Sequence, residues 1–138
     1  MHAKAFFDTN VLIYVVAADD SRNAQAEELL ASGGVVSVQI LNEFVSVARR
    51  KILMSWSEVR EALEAFKVLC PSPLPVTMEM HKAALRIAAI HGYNVYDALV
   101  VAAALESGCA TLYSEDLHDG QTIDGQLTIR NPFTRFSG

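Results

Sequence analysis

A short apolar strand that ends on an acid constrains this chain more than any other stretch. Ala5-Phe6-Phe7 has the length and composition of a buried strand, and Asp8 follows it directly, ahead of an apolar run at residues 11–16. Removing a carboxylate from water at such a junction is costly unless a cation, a base or a hydrogen-bond donor compensates it. In open α/β sheets this position, beyond the carboxyl end of a strand, is also where ligands bind.

The rest of the chain alternates short apolar strands with helical segments. We expect strands at residues 35–38, 110–113 and 127–129 and a brief edge strand near Val76. Helices are expected at residues 9–18, from 19–21 to a stop at 33–34, at 39–51, from a capping box at 55–58 to the prolines at 71–75, at 78–91 and at 95–107. The loop at residues 117–125 should lack regular structure.

This alternation predicts the fold class. Strands separated by helices favour a parallel sheet covered on both faces. We therefore predict an α/β fold, a three-layer α/β/α sandwich with a central parallel sheet. The 138 residues, 51% of them hydrophobic, suit one core, and no repeat or linker divides the chain. Residues 1–138 should form a single domain.

The charge of the chain limits how it could bind nucleic acid. The net charge is −5, whereas proteins that bind nucleic acid are usually basic. Any such contact must be local or depend on metal ions. The basic cluster Arg49-Arg50-Lys51 has two interpretations, a helix C-terminus that suits the dipole or a contact with phosphates. Arg49 and Arg50 are candidates for RNA contact, with Lys82 and Arg86 further out.

Cysteine usage and hydropathy indicate the compartment. Cys70 and Cys109 have neither metal-ligand nor redox spacing, which favours reduced, buried thiols. Asp8 interrupts any signal-peptide pattern, and the longest apolar run, residues 98–105, is too short to span a bilayer. We expect a soluble, cytoplasmic protein with no membrane contact.

A parallel sheet would bring three acids to one rim, and a fourth, Asp97, joins them if its helix begins at the same rim. Asp8 and Asp116 follow strands, Glu43 lies early in the helix after the second strand, and Asp97 lies in the first turn of the most apolar helix. Singly, they could be a helix cap, a solvated side chain, a dipole partner and a turn residue. Together, four like charges favour a bound cation. Carboxylate oxygens without His or Cys suit Mg²⁺ or Mn²⁺.

Other kinds of catalytic or binding site find little support. The four histidines have no ligand spacing, so solvated or structural roles are expected for His2, His81, His91 and His118. No serine lies in a nucleophile elbow, and no glycine-rich phosphate loop is present.

Four short motifs, in order along the chain, resemble those of a known family. They are Asp8-Thr-Asn10, Asn42-Glu43, Tyr96-Asp97-Ala98 and Ser114-Glu-Asp116. Together they are similar to the PIN domain, and more narrowly to the VapC-type toxin ribonucleases of bacterial toxin–antitoxin pairs. The resemblance spans nearly the whole chain. It implies an α/β/α sandwich and makes residues 1–138 a single PIN-like nuclease domain.

The resemblance also implies an activity and its site. It implies a Mg²⁺- or Mn²⁺-dependent endoribonuclease that cleaves RNA with metal-activated water, is inhibited by a cognate antitoxin and is commonly a homodimer. Carried over residue by residue, the catalytic and metal-binding acids would be Asp8, Glu43, Asp97 and Asp116. Asn10 and Ser114 would support them by hydrogen bonding, and Asp119 matches a further acid only loosely.

Two alternatives stay open at this point. The chain could be a non-catalytic PIN-like module that binds RNA or protein. It could also be a Mg²⁺-dependent phosphoacceptor signalling domain, which likewise places acids at strand ends. That second class needs a lysine after a late strand, and Tyr113-Ser-Glu-Asp116 offers none.

Overall fold

A computed structural model describes residues 4–133 as a four-stranded sheet with six α-helices. In chain order the elements are β1 (Ala5–Phe7), α1 (Thr9–Val16), α2 (Asn23–Ala31), α3 (Val38–Val47), a π-helical turn (Ala48–Ile52), α4 (Trp56–Leu69), α5 (Met78–His91), α6 (Val95–Glu106), β2 (Thr111–Tyr113), β3 (Thr122–Ile123) and β4 (Leu127–Arg130). The prediction of an α/β/α sandwich is confirmed.

The sheet has the strand order β1-β2-β4-β3, and its first three strands are parallel. Phe7 is paired with Tyr113, so the next residues, Asp8 and Ser114, leave the sheet side by side. β3 joins the edge antiparallel to β4, within the segment for which we predicted only loop. The predicted parallel sheet is therefore correct for three strands and gains one short antiparallel edge strand.

The strand predicted at residues 35–38 is much reduced. Val35 and Ser37 form only isolated parallel bridges, to Phe6 and Leu74. Val38 is already helical because the Ser37 hydroxyl accepts a hydrogen bond from the Ile40 amide at 3.3 Å and caps α3. The edge contact expected near Val76 lies at Leu74 instead. The Ser37 cap therefore makes Val38, the last residue of the predicted strand, the first residue of α3.

Capping residues in the sequence predicted where most of the helices begin or end. Ser55 and Glu58 form the expected capping box of α4, and Asn94 caps α6 through the Asp97 amide at 2.9 Å. The second helix begins later than predicted, at Asn23. The reason lies in Asp20, whose carboxylate accepts hydrogen bonds from the Arg22 amide and guanidinium and holds a turn there.

The core closes tightly around β1 and α6. Phe6 and Phe7 are buried, and α6 buries six residues, Ala98 and Val100 to Ala104. At Gly34 a methyl group would lie 2.5 Å from the Phe7 ring and 2.6 Å from the Ala5 carbonyl oxygen. Only glycine lets this segment approach β1 so closely.

Two further sequence predictions concern thiols and membranes. Cys70 and Cys109 are free and buried, as expected. Within residues 4–133 no single helix is long and apolar enough to cross a membrane. α5 and α6, bent by 115° at their junction, meet that length and composition criterion only as a pair.

Candidate functional site

Asp8 is a buried carboxylate that caps α1. Its Oδ1 accepts a hydrogen bond from the Thr9 amide at 2.8 Å, and its Oδ2 accepts one from the Ser114 hydroxyl at 2.7 Å. Burial raises the pKa of Asp8 to about 6, against the lowering effect of these two bonds. The negative charges of Glu43 and Asp116 raise it further. Asp8 therefore lies within the electrostatic reach of two other acids.

Ser114 joins the two strand ends. Its side chain is fully buried, and its hydroxyl oxygen also accepts hydrogen bonds from the amides of Asp116 at 3.2 Å and Leu117 at 3.3 Å. One hydroxyl thus orients the Asp8 carboxylate and shapes the turn that carries Asp116.

Glu43 points along the rim of the sheet rather than into open solvent. Its Oε2 accepts a hydrogen bond from the Thr9 hydroxyl at 2.8 Å, and its Oε1 accepts one from the Gln39 amide at 3.0 Å. Thr9 directly follows Asp8, so the start of α1 holds one acid and orients a second. The alternative of a fully solvated Glu43 does not fit these contacts.

Asn10 holds the loop that carries Asp116. Its side-chain nitrogen donates to Asp116 Oδ2 at 3.2 Å, and its side-chain oxygen accepts from the Glu115 amide at 3.3 Å. The Asp116 side chain is otherwise exposed. Asn10 therefore connects the start of α1 to the loop that carries Asp116.

Asp97 reaches the same region from the first turn of α6. Its Oδ2 accepts a hydrogen bond from the Asn94 side chain at 2.9 Å. Burial raises the pKa of Asp97, the Asn94 bond lowers it, and the charges of Asp116 and Glu43 raise it. Asp97 therefore lies within the electrostatic reach of Asp116 and Glu43.

The four acids line one cleft of about 450 Å³. The wall continues along one side of α3 and the π-helical turn, through Ser46, Val47 and Ile52. Among residues 4–133 no His or Cys lies on this wall, so the possible metal ligands there are the hard oxygens that Mg²⁺ and Mn²⁺ prefer. In the described part of the chain no three acidic, His or Cys side chains already stand close enough to hold an ion.

The basic cluster is divided between two surfaces. Arg50 and Lys51 line the cleft, and Arg50 Nε donates to the Ser46 hydroxyl at 3.3 Å. Arg49 does not line it: its guanidinium donates to the Met54 carbonyl at 2.7 Å and lies 4.6 Å from the centre of the Trp56 ring. The sequence indicated Arg49 and Arg50 as candidate contacts, and the structure places Arg50 and Lys51 on the cleft.

One cluster beside the site was missed by the sequence reasoning. Glu115 accepts hydrogen bonds from the Tyr14 hydroxyl and from Arg22 Nη1, the latter at 2.7 Å. Arg22 also pairs with Asp20 at 2.8 Å and lies 4.0 Å over the Tyr14 ring. Tyr14 lines the cleft. The one sequence signal was an acid between Ser114 and Asp116, but nothing local pointed to Arg22.

Several other candidate residues lie away from the cleft wall. Asp119 accepts a hydrogen bond from the Asn131 amide at 2.8 Å, which is a turn contact. Arg86 pairs with Asp124 at 3.1 Å, and neither Arg86 nor Lys82 lines the cleft. His81, His91 and His118 do not line it either, and His2 falls outside the described residues.

Comparison with known proteins extends these observations. A protein-family model described as PIN domain matches residues 5–118. No match was found among curated protein sequences.

Solved structures with the same fold include a toxin–antitoxin complex, a toxin and VapBC2 bound to DNA. A toxin–antitoxin complex from Klebsiella pneumoniae is 18% identical, covers 93% of this chain and 97% of its own, and has a TM-score of 0.70. VapC20 of Mycobacterium tuberculosis, a toxin that cleaves the sarcin–ricin loop, is 24% identical, with coverages of 81% and 89% and a TM-score of 0.62. VapBC2 of Rickettsia felis, bound to a promoter DNA fragment, is 17% identical, with coverages of 92% and 97% and a TM-score of 0.65.

Proposed function

Since the chain belongs to the PIN domain family, we propose that it is a divalent-metal-dependent endoribonuclease, the toxin of a toxin–antitoxin pair. The observation that carries the proposal is the convergence of Asp8, Glu43, Asp97 and Asp116 on one cleft. The similarity of the fold to VapC20, a toxin that cleaves the sarcin–ricin loop, supports RNA as the substrate class.

The donor set fits a hard divalent cation. We assign Asp8, Glu43, Asp97 and Asp116 as the residues that would hold Mg²⁺ or Mn²⁺. Burial and mutual repulsion raise the pKa of Asp8 and Asp97, which is the electrostatic condition that a cation relieves. When bound, such an ion makes water a better nucleophile at neutral pH and stabilises charge on the phosphate oxygens.

The chain's own residues would position these groups and the substrate. Ser114 and the Thr9 amide hold both oxygens of Asp8, and Asn10 holds Asp116. Arg50 and Lys51 stand on the same wall, where their charges can attract the phosphate backbone toward an otherwise acidic cleft. This arrangement supports RNA binding by a protein whose net charge is −5.

We also propose an antitoxin partner, a homodimer and a cytoplasmic location. The Klebsiella structure, which is a toxin–antitoxin complex, supports the first. Exposed large apolar side chains on three helices support protein contacts of this kind; they are Val38 on α3, Met78, Leu85 and Ile90 on α5, and Tyr96 on α6.

Cleavage of RNA by the purified protein tests the proposed activity. We expect cleavage with MgCl₂ or MnCl₂, none with EDTA, and none by Asp8→Asn or Asp97→Asn. The matched control is Asp19→Asn, an exposed acid that does not line the cleft and should leave cleavage unchanged. Cleavage that survives in both cleft variants, or that ignores EDTA, would contradict the proposal.

A non-catalytic binding module is the second candidate. It is favoured by one observation, that no three ligand side chains in residues 4–133 are already close enough to hold an ion. Calorimetric titration with MnCl₂ separates the two. Binding that is lost in Asp97→Asn supports the enzyme, whereas absence of binding together with retained RNA affinity supports the module.

A further inference from the structure

We propose that Trp56 and Arg49 form a stacking site for an unpaired base of the RNA that enters the acidic cleft. This inference rests on the proposed function for its substrate, and it assigns a single-stranded RNA segment beside the scissile phosphate. It gives a role to an aromatic residue and a cation that the carboxylate site does not use.

The pair has an ordered geometry on an exposed surface. The Arg49 guanidinium lies 4.6 Å from the Trp56 ring centre and is fixed by its bond to the Met54 carbonyl at 2.7 Å. Trp56 is nevertheless 53% exposed. Since Arg49 covers one face of the ring, much of the exposed area belongs to the rest of the indole. An indole with one face already ordered is a platform on which a base can stack.

The comparison with Tyr14 shows why exposure matters. Arg22 lies 4.0 Å over the Tyr14 ring in a similar way. There the cation also pairs with Asp20 and Glu115, and Phe133 packs edge-on against the same ring at 5.1 Å. That cluster is satisfied within the protein. Arg49, in contrast, has no carboxylate partner in the described part of the chain, and the Trp56 ring that it covers is exposed to solvent.

The position of the pair joins it to the cleft. Arg49 lies in the π-helical turn, and the following residues Arg50, Lys51 and Ile52 line the cleft. Trp56 begins α4 after three further residues, 53–55. Among residues 4–133, none of the three adjacent cations is in a salt bridge. Along the chain, Arg49 and Trp56 therefore flank the segment of the turn that lines the cleft, and we infer that an RNA strand bound along this segment has Trp56 at its edge.

Charge favours RNA over a protein at this surface. Trp and Arg are also common in protein interfaces. Here, however, Arg49 contacts the ring, and the next two residues, Arg50 and Lys51, line the cleft of a protein whose net charge is −5. Cations tracking a backbone beside an aromatic platform are the pattern of single-strand binding. A protein partner at Trp56 is the outcome that the test below can reveal instead.

Trp56 is the only tryptophan of the chain, so its fluorescence reports on this site alone. We would titrate the Asp97→Asn protein, in MgCl₂, with a fluorescein-labelled single-stranded adenosine 12-mer, and follow anisotropy and, with unlabelled RNA, tryptophan emission. We use this background because we expect it not to cleave the RNA during the titration. We expect saturable quenching by the single strand, and none by polyphosphate or by a duplex of the same length.

Substitutions then separate stacking from charge. Trp56→Ala should weaken single-strand binding about 5- to 150-fold, the range for loss of one stacked base, and Trp56→Phe should restore most of it. Val68→Ala, which removes a similarly exposed apolar side chain from the end of α4, should have no effect. Circular dichroism confirms that each variant is folded.

The outcomes distinguish this inference from the proposed function. Unchanged RNA affinity in folded Trp56→Ala, or equal quenching by the duplex, would overturn the stacking site even if the wild-type protein cleaves RNA. Loss of binding in Trp56→Ala would support it even if no cleavage is found. Weaker binding of a protein partner by Trp56→Ala, with RNA binding unchanged, would assign the surface to that partner and overturn the inference.

Discussion

The Ser114 hydroxyl donates a hydrogen bond of 2.7 Å to the Asp8 carboxylate and joins two strand ends that are 106 residues apart. The parallel register of β1 and β2 brings these positions side by side. The same oxygen accepts two backbone amides of the turn at Asp116. One buried side chain therefore sets the relative placement of two of the four acids.

Ser114→Ala should destabilise the protein by about 1–3 kcal/mol. It removes a donor from Asp8 and leaves the amides of Asp116 and Leu117 without their acceptor. Urea denaturation measures the change. The control is Ser107→Ala, which removes a half-buried hydroxyl that bonds the Ala104 carbonyl at the end of α6. Equal costs for the two serines would contradict the special position of Ser114.

Without divalent ions, the free energy of unfolding of Asp8→Asn relative to wild type should be higher at neutral pH than at low pH. The pKa of Asp8 rises from 3.8 to about 6 on folding. Between these values the folded chain binds the proton more tightly, so the wild-type free energy of unfolding falls as the pH rises and stays lower above pH 6. Asp8→Asn has no titrating group at this position, so it does not show this fall in the free energy of unfolding, which is about 3 kcal/mol.

Urea denaturation of both proteins at about pH 4 and pH 7.5, in EDTA, measures this difference. The free energy of Asp8→Asn relative to wild type should rise with pH, and saturating MgCl₂ should reduce the gap because an ion favours the charged form. A difference that does not change with pH would show that Asp8 is not held in the way described.

Glu115→Gln should cost about 1–2 kcal/mol and lower RNA cleavage without contacting the substrate. Glu115 accepts hydrogen bonds from both Tyr14 and Arg22. These partners are partly buried, so water cannot easily compensate them for the lost carboxylate charge. The control is Asp124→Asn, which breaks the more exposed pair with Arg86 and should cost about 0–1 kcal/mol. Thermal unfolding and kcat measured separately from KM test both parts.

Gly34→Ala should destabilise the fold by about 1–3 kcal/mol through overpacking. The new methyl would lie within 2.6 Å of the Ala5 carbonyl oxygen, a backbone atom that cannot move without disturbing β1. Gly125→Ala is the control: its φ is +66°, but no atom lies within 4 Å of the added methyl, so it should cost about 1 kcal/mol of backbone strain. A smaller loss at Gly34 than at Gly125 would contradict the close approach.

Features with local causes could be predicted from the sequence. Ser55 and Asn94 predicted the starts of α4 and α6 because a capping side chain hydrogen-bonds an amide only three positions away. Three of the four acids, Asp8, Glu43 and Asp116, could be placed at one rim because strand ends in a parallel sheet share an edge. The prediction about Asp97 depended most on resemblance, and the structure brings it to the same cleft.

Features with distant causes could not be predicted. The pairing of Glu115 with Arg22 joins residues 93 positions apart, and no periodicity encodes it. The surfaces on which Arg49 and Arg50 lie depend on a π-helical turn, in which side chains point in different directions than they would in an α-helix. The two-residue strand β3 exists because β4 offers an open edge, not because of its own composition.

The strand register of β1 and β2 also has a consequence during synthesis. Asp8 is translated first among the four acids, but its neighbour strand begins only at Thr111. A growing chain can form α1 early and still lack Ser114, Asp116 and the strand that fixes them. The carboxylate cleft therefore comes into existence only when most of the protein has left the ribosome. A message cut short before that point yields a fragment without the cleft.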